Sequence, residues 1–203
     1  MQESTKETRP KGWYSRGYLP HFDKPDIVQA VTFRLADSLP ANFLDQCESQ
    51  LRHLPKAQRN AEKAMRIANF LDRGHGSCWL SNRSVAETVE NTLLYFNEKR
   101  YVLLAWCVMP NHVHTMIETK DGFPLADVIH SWKSFSAKES NRILSRTGEF
   151  WMRDYFDRIV RNEFHYQNAL NYIEENPVKA GLVASREEWR RSSAWKGRKN
   201  EHE

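Results

Sequence analysis

Cysteine is scarce in this chain. Its three cysteines, Cys47, Cys78 and Cys107, are odd in number and widely separated, with no Cys-x-x-Cys pair. That argues against a disulfide framework and against a thiolate zinc site, so each is read as a small apolar residue. Long apolar runs are missing too: none approaches the roughly 20 residues that span a bilayer. The stretch from Met1 to Pro10 lacks the apolar segment of a secretory signal. The expectation is a cytoplasmic protein with no membrane partner. Internal repeats are absent, and 203 residues suffice for one sizeable core. The expected organisation is a flexible N-terminal arm over 1–17, a single domain over 18–195 and a charged tail over 196–203.

A formal charge of +4 with seven Trp, seven Tyr and ten Phe suits a polyanionic partner whose bases are unpaired, since cationic side chains neutralise phosphates and aromatic rings stack bases. Composition alone does not distinguish that from an ordinary basic enzyme. The pattern along the chain is more specific. β-branched and aromatic residues predict a strand over 29–35. Apolar spacings of three and four predict helix over 41–72, broken near Pro55. Ser84 with Glu87 reads as a capping box opening a helix over 85–97. A strand, turn and strand follow over 101–119, then a helix over 125–144, an extended segment over 150–160, and a helix over 163–175 stopped by Asn176-Pro177. This order predicts an α+β fold: a ferredoxin-like, mostly antiparallel sheet with helices packed mainly on one face.

The most informative stretch is Met109-Pro-Asn-His-Val-His-Thr-Met-Ile-Glu118. On a strand, residues two apart project from one face. His112 and His114 are therefore placed to grip one metal ion while Val113 turns into packing. Two imidazoles do not complete a catalytic site, which needs further ligands and an open position. The segment Leu170-Asn-Tyr-Ile-Glu-Glu-Asn-Pro-Val-Lys-Ala-Gly-Leu-Val183 offers the rest. Tyr172 and Asn176 are four apart and share a helix face. A phenol facing a cation-polarised phosphate is a candidate nucleophile. Asn176 is a candidate third ligand or phosphate contact, with a helix C-cap as its bland alternative. From the residues alone zinc is a candidate, because imidazole suits it.

Together, Met-Pro-Asn-His-Val-His and Tyr-Ile-x-x-Asn-Pro-Val-Lys-Ala-Gly-Leu-Val closely resemble the REP-associated tyrosine transposases. These are relatives of the single-tyrosine insertion-sequence transposases that share the HUH signature. Phe150-Trp151, Tyr155-Phe156-Asp157-Arg158 and Trp189-x-x-Ser192-Ser193-Ala194 extend the resemblance from about Tyr18 to Ala194. The resemblance implies that Tyr172 is the nucleophile, that His112 and His114 (with Asn176) hold Mg²⁺ or Mn²⁺, and that the substrate is single-stranded DNA beside palindromic hairpins. It implies cleavage through a 5′-phosphotyrosine and rejoining without ATP, the chemistry of DNA transposition. Lys133, Lys138, Arg153, Arg158, Arg161 and Lys179 are candidate phosphate contacts, with solvated surface charge as the alternative for each. The resemblance is compatible with a monomer or a dimer. Monomer is favoured because the region after Pro177 is positioned to cover a sheet edge.

Rival readings are weighed against particular residues. A catalytically silent hairpin-binding regulator of the same fold is the main alternative. Two-histidine phosphodiesterases need two His-x-Thr/Ser motifs, and only one spacing-incompatible Thr115 is present. Metallo-β-lactamase-like nucleases need Asp-His where Thr115 and Met116 stand.

Overall fold

The computed structural model describes residues 12–15 and 20–197. Most of the expected N-terminal arm, and residues 198–203 of the charged tail, lie outside the described residues. Within the stretch read as an arm, β1 (Gly12–Ser15) pairs antiparallel with β2 (Pro20–Asp23). Its Gly-Trp-Tyr-Ser sequence carries aromatic residues that favour strand.

The main sheet holds β3 (Val28–Arg34), β4 (Tyr101–Val108), β5 (His112–Thr119) and β6 (Phe156–Ile159) in the order β4-β5-β3-β6, with every neighbouring pair antiparallel. With α3 (Arg83–Tyr95) between β3 and β4 and α4 (Leu125–Ile143) between β5 and β6, this is the ferredoxin-like α+β arrangement expected from the sequence. A helical hairpin, α1 (Phe43–Leu51) and α2 (Lys56–Leu71), is inserted ahead of α3, and α5 (Glu163–Lys179) follows β6. Pro55 caps α2, so the expected break is where the chain turns between the two helices.

Alternation along the strands divides the molecule into two layers. Val31, Phe33, Val113 and Ile117 face α3 and α4, and they share one buried cluster with Val85, Val89, Leu93, Ile129 and Trp132. Trp132 belongs to this core: its indole N–H donates to the Tyr101 hydroxyl (2.8 Å), which donates to the Leu93 carbonyl (2.7 Å). The opposite face, with Met116, Ala105 and Cys107, is covered by Ile173 of α5. A register shift between Leu103 and Ala105 lets both ends of β4 keep the correct face inward.

Two helix boundaries differ from the sequence expectation. Asn82, not Ser84, caps α3; its side-chain oxygen accepts from the amides of Ser84 and Val85 (3.0 and 3.3 Å). Asn at this position satisfies orphan first-turn donors as well as Ser does. And α5 continues through Pro177 to Lys179. A proline's fixed φ suits a helix and costs one ladder bond. The final turn recloses around it, with Ala180 N–H donating to Asn176 O at 2.9 Å.

The C-terminal segment folds back on the exposed edge of β4. Val108 N–H donates to Arg191 O, Ser193 N–H donates to Trp106 O, and the Trp189 indole donates to Val108 O. These bonds occupy donors and acceptors that an open edge strand would otherwise present to another chain.

A buried ion cluster joins the small hairpin to the far edge of the sheet. His21, 1% exposed, meets Asp157 through Nδ1 (2.5 Å) and Asp154 through Nε2 (3.0 Å). Burial opposes its charge, but the hydrogen bonds and charges of the two carboxylates prevail and raise its pKa to about 9. The folded value exceeds the unfolded one. The His21 contribution is therefore complete below pH about 6.5 and is lost as pH climbs towards 9, up to about 3 kcal/mol. Thermal melts across pH 6–9.5 should show this decline, and His21→Leu should flatten it. An equally steep decline in His21→Leu would assign it to another group.

Candidate active site

The β4–β5 turn delivers the histidines. Met109 N–H donates to His112 O (2.9 Å), closing the turn at Pro110-Asn111. His112 and His114 then lie on the same side of β5 as Met116, while Val113 enters the larger core. Their Nε2 atoms stand 2.9 Å apart. Both rings are fixed from behind. Asn111 donates its amide protons to Leu71 O (3.2 Å) and His75 O (2.8 Å), which orients Oδ1 towards His112 Nδ1 at 2.6 Å. That oxygen only accepts, so Nδ1 carries the proton and Nε2 presents a lone pair. The Thr32 hydroxyl meets His114 Nδ1 at 2.7 Å. Burial, and then the neighbouring His114, hold His112 far below its usual pKa; burial and the Lys179 charge push His114 down to about 3. Both imidazoles are neutral, as metal ligands must be.

A third donor arrives from a distant part of the sequence. Asp72 Oδ1 lies 3.6 Å from His112 Nε2, and ligand atoms of Asp72, His112 and His114 all fall within 4.8 Å of one another. Oδ1 is buried without a hydrogen-bond partner. Asp72 is also the C-cap of α2, where the helix dipole already disfavours an anion. A carboxylate at a helix C-terminus whose Oδ1 is unpartnered and faces the imidazole pair is a donor set that fits a divalent cation.

Tyr172 reaches this cluster from α5, which covers the same face of the sheet. Its ring stands edge-on to His114 with centroids 5.2 Å apart, so one chain unites phenol and imidazoles. Burial, then the Asp72 charge, raise the Tyr172 pKa well above the usual phenol value, and the Asn176 amide opposes them. Asn176 is fully buried. It is near enough to favour the anions of both Tyr172 and Asp72, yet neither its Nδ2 nor its Oδ1 meets hydrogen-bond geometry. The Lys179 ammonium lies 5.0 Å from the Tyr172 ring centroid.

The other basic candidates are dispersed. Lys133 donates to the carbonyls of Met152 and Arg153 (2.6 and 2.7 Å), and burial lowers its pKa to about 8. Lys133 and Lys138 ride on α4, behind the sheet from the imidazoles. Arg158 pairs through Ala30, the neighbour of Met116, and so shares the imidazole-bearing face; it is exposed, as are Arg153 and Arg161.

Local sequence spacing does not single out Asp72, Asn111 or Thr32 as site residues. Asn111 is inside the histidine motif and could have been chosen there. Asp72 carries no local signal, because it meets the histidines only through the fold.

Residues 79–176 match the family described as Transposase IS200 like. The match includes His112, His114, Tyr172 and Asn176 but not Asp72. A putative REP-associated tyrosine transposase of Haemophilus influenzae is 27% identical over 101 residues, 44% of this chain and 57% of that protein. The REP-associated tyrosine transposase of Escherichia coli K12 is 24% identical over 92 residues, 45% of this chain and 53% of that protein. The matched region thus spans a little over half the length of these curated relatives. A solved structure of a REP-associated tyrosine transposase bound to a REP hairpin superposes with a TM-score of 0.56 at 16% identity, covering 88% of this chain and 82% of that one. That likeness speaks to the fold. No helix among the described residues is long and apolar enough to cross a membrane.

Proposed function

We propose, from the premise that this chain carries an IS200-like transposase domain and resembles the REP-associated tyrosine transposases, that it is a metal-dependent single-stranded DNA nicking and joining enzyme acting beside palindromic hairpins. The observation that carries this reading is the meeting of Tyr172 with the imidazole pair inside one chain. His112, His114 and Asp72 would hold Mn²⁺ or Mg²⁺, with imidazole donors favouring Mn²⁺. The bound ion would supply Lewis-acid polarisation of the scissile phosphate.

The chain's own residues do the remainder. Asn111 and Thr32 fix the imidazole rings, and Asn176 lies against both Tyr172 and Asp72. Tyr172 Oη attacks the phosphorus and gives its proton to solvent. The bond from phosphorus to the 3′-oxygen breaks, and that oxygen leaves as a hydroxyl after taking a proton. A 5′-phosphotyrosine remains, and attack by a 3′-hydroxyl reverses the step, so no nucleotide cofactor is required. Lys179, beside the phenol, is placed to offset phosphate charge. The C-terminal cover on β4 supports action as a monomer.

The test is incubation of the chain with a hairpin-bearing single strand labelled at both ends, with Mn²⁺ or with chelator. The expected result is a denaturant-stable protein–DNA adduct and a free 3′-hydroxyl fragment, both only with metal. Tight hairpin binding without any cleavage across metals would favour the silent regulator instead.

A further inference from the structure

We propose that the cleft between α1 and α2 holds one unpaired nucleotide of the strand next to the scissile phosphate. The proposal rests on the single-stranded DNA reading above and adds a place where a base is read. The cleft is an open groove with about 340 Å³ of accessible space, near the small end of the roughly 300–1,000 Å³ of small-ligand sites. Its chemistry is that of a nucleotide. Phe43 and Phe70 form an aromatic corner, with ring centroids 4.6 Å apart, and His75 stacks behind Phe70 at 4.1 Å. Such surfaces take the face of any base. The exposed amides of Gln46 and Asn69 line the same space and offer donor and acceptor to a base edge. Two guanidinium groups complete the lining. Arg66 is held by Gln50 (2.7 Å) and Glu62 (3.1 Å), and Arg73 is exposed.

Position supports the assignment as strongly as composition. Phe70 stacks on His75, whose carbonyl accepts from Asn111, the residue that orients His112, so the cleft is joined to the imidazole pair through a short chain of contacts. The following loop is tightly placed: Ser77 donates from N and Oγ to Asp37 Oδ2 (2.9 and 2.5 Å). At Gly76, φ is +86°, and a Cβ there would stand 2.7 Å from Asp37 O. A nucleotide in the cleft would therefore be bound beside the loop that supports the imidazole pair, and the helical hairpin would both read the strand and supply a ligand.

The test uses the full chain carrying Tyr172→Phe, in chelator so that no cleavage intervenes. It is titrated with hairpin oligonucleotides whose single-stranded flank carries 2-aminopurine at successive positions. One flank position is expected to change its fluorescence on binding. Phe43→Ala should erase that change and weaken tailed-hairpin binding roughly 5- to 150-fold, with blunt-hairpin affinity unchanged. Because Phe43 also packs against the small buried cluster of Leu39, Ile67 and Leu71, the surface double variant Asn69→Ala, Arg73→Ala is measured in parallel and is expected to erase the same signal. Tailed-hairpin binding and fluorescence unaltered in the double variant overturn the cleft while leaving the DNA reading intact. A parent protein that binds no tailed hairpin overturns both.

Discussion

Tyr172→Phe should abolish the protein–DNA adduct and reduce strand cleavage on the order of 10⁴-fold or more, the scale of removing a covalent nucleophile. The substitution is conservative in every other respect. Phenylalanine keeps the ring edge-on to His114 and the helix that carries it, so metal affinity and hairpin affinity should stay within about twofold. Burial and the Asp72 charge keep the phenol neutral, so its removal deletes no buried charge and the melting temperature should change little. Separation of these readouts is the point: a merely structural tyrosine would lower stability or binding along with cleavage. Peptide mapping of the parent adduct supplies an independent check. A phosphotyrosine at Tyr166, six residues earlier on α5 and packed against the same small core, would reassign the nucleophile. An adduct that survives in Tyr172→Phe would do the same.

The parts of this site that could be read from sequence are those encoded by local spacing. His112 and His114 share a face because strand residues alternate, and the apolar run before them marks the strand. Tyr172 and Asn176 share a helix face through a spacing of four. Local rules erred where two residue types compete for one task. Asn82 took the capping role assigned to Ser84, since both side chains accept from first-turn amides. Pro177 has the sequence signature of a terminator, although near a helix end its cost is a single hydrogen bond and the following turn recovers the geometry. Asp72 was illegible for a different reason. It follows α2 by one residue and looks like an ordinary exposed end of a helix. Its role depends on Asn111, thirty-nine residues on, clasping the carbonyls of Leu71 and His75 and drawing the end of α2 to the imidazoles. Only the folded chain contains that relation.

Asp72→Asn is therefore the second large expected effect, and it should move metal binding and stability in opposite directions. Losing an outer-shell partner of a metal site typically weakens affinity roughly 10- to 100-fold. Asp72 supplies one of the three clustered donors itself, so Mn²⁺ affinity should fall by more than that, with cleavage falling in parallel and recovering partly at high Mn²⁺. In chelator the balance reverses. The wild-type carboxylate is half-buried, its Oδ1 is enclosed without a hydrogen-bond partner, and it sits at the negative end of α2. Replacing it with a neutral amide of the same shape removes an unfavourable charge and adds a donor beside His112 Nε2. The gain should be about 0.3–1 kcal/mol, a rise of roughly 1–4 °C in melting temperature for a chain of this size. Calorimetric Mn²⁺ titration and paired melts with and without metal measure both halves. A variant with undiminished Mn²⁺ affinity would remove Asp72 from the ligand set and return the third position to Asn176. A variant that is less stable in chelator would show the carboxylate to be structural. The expected pair of results would identify it as a ligand that the fold holds in place at its own expense.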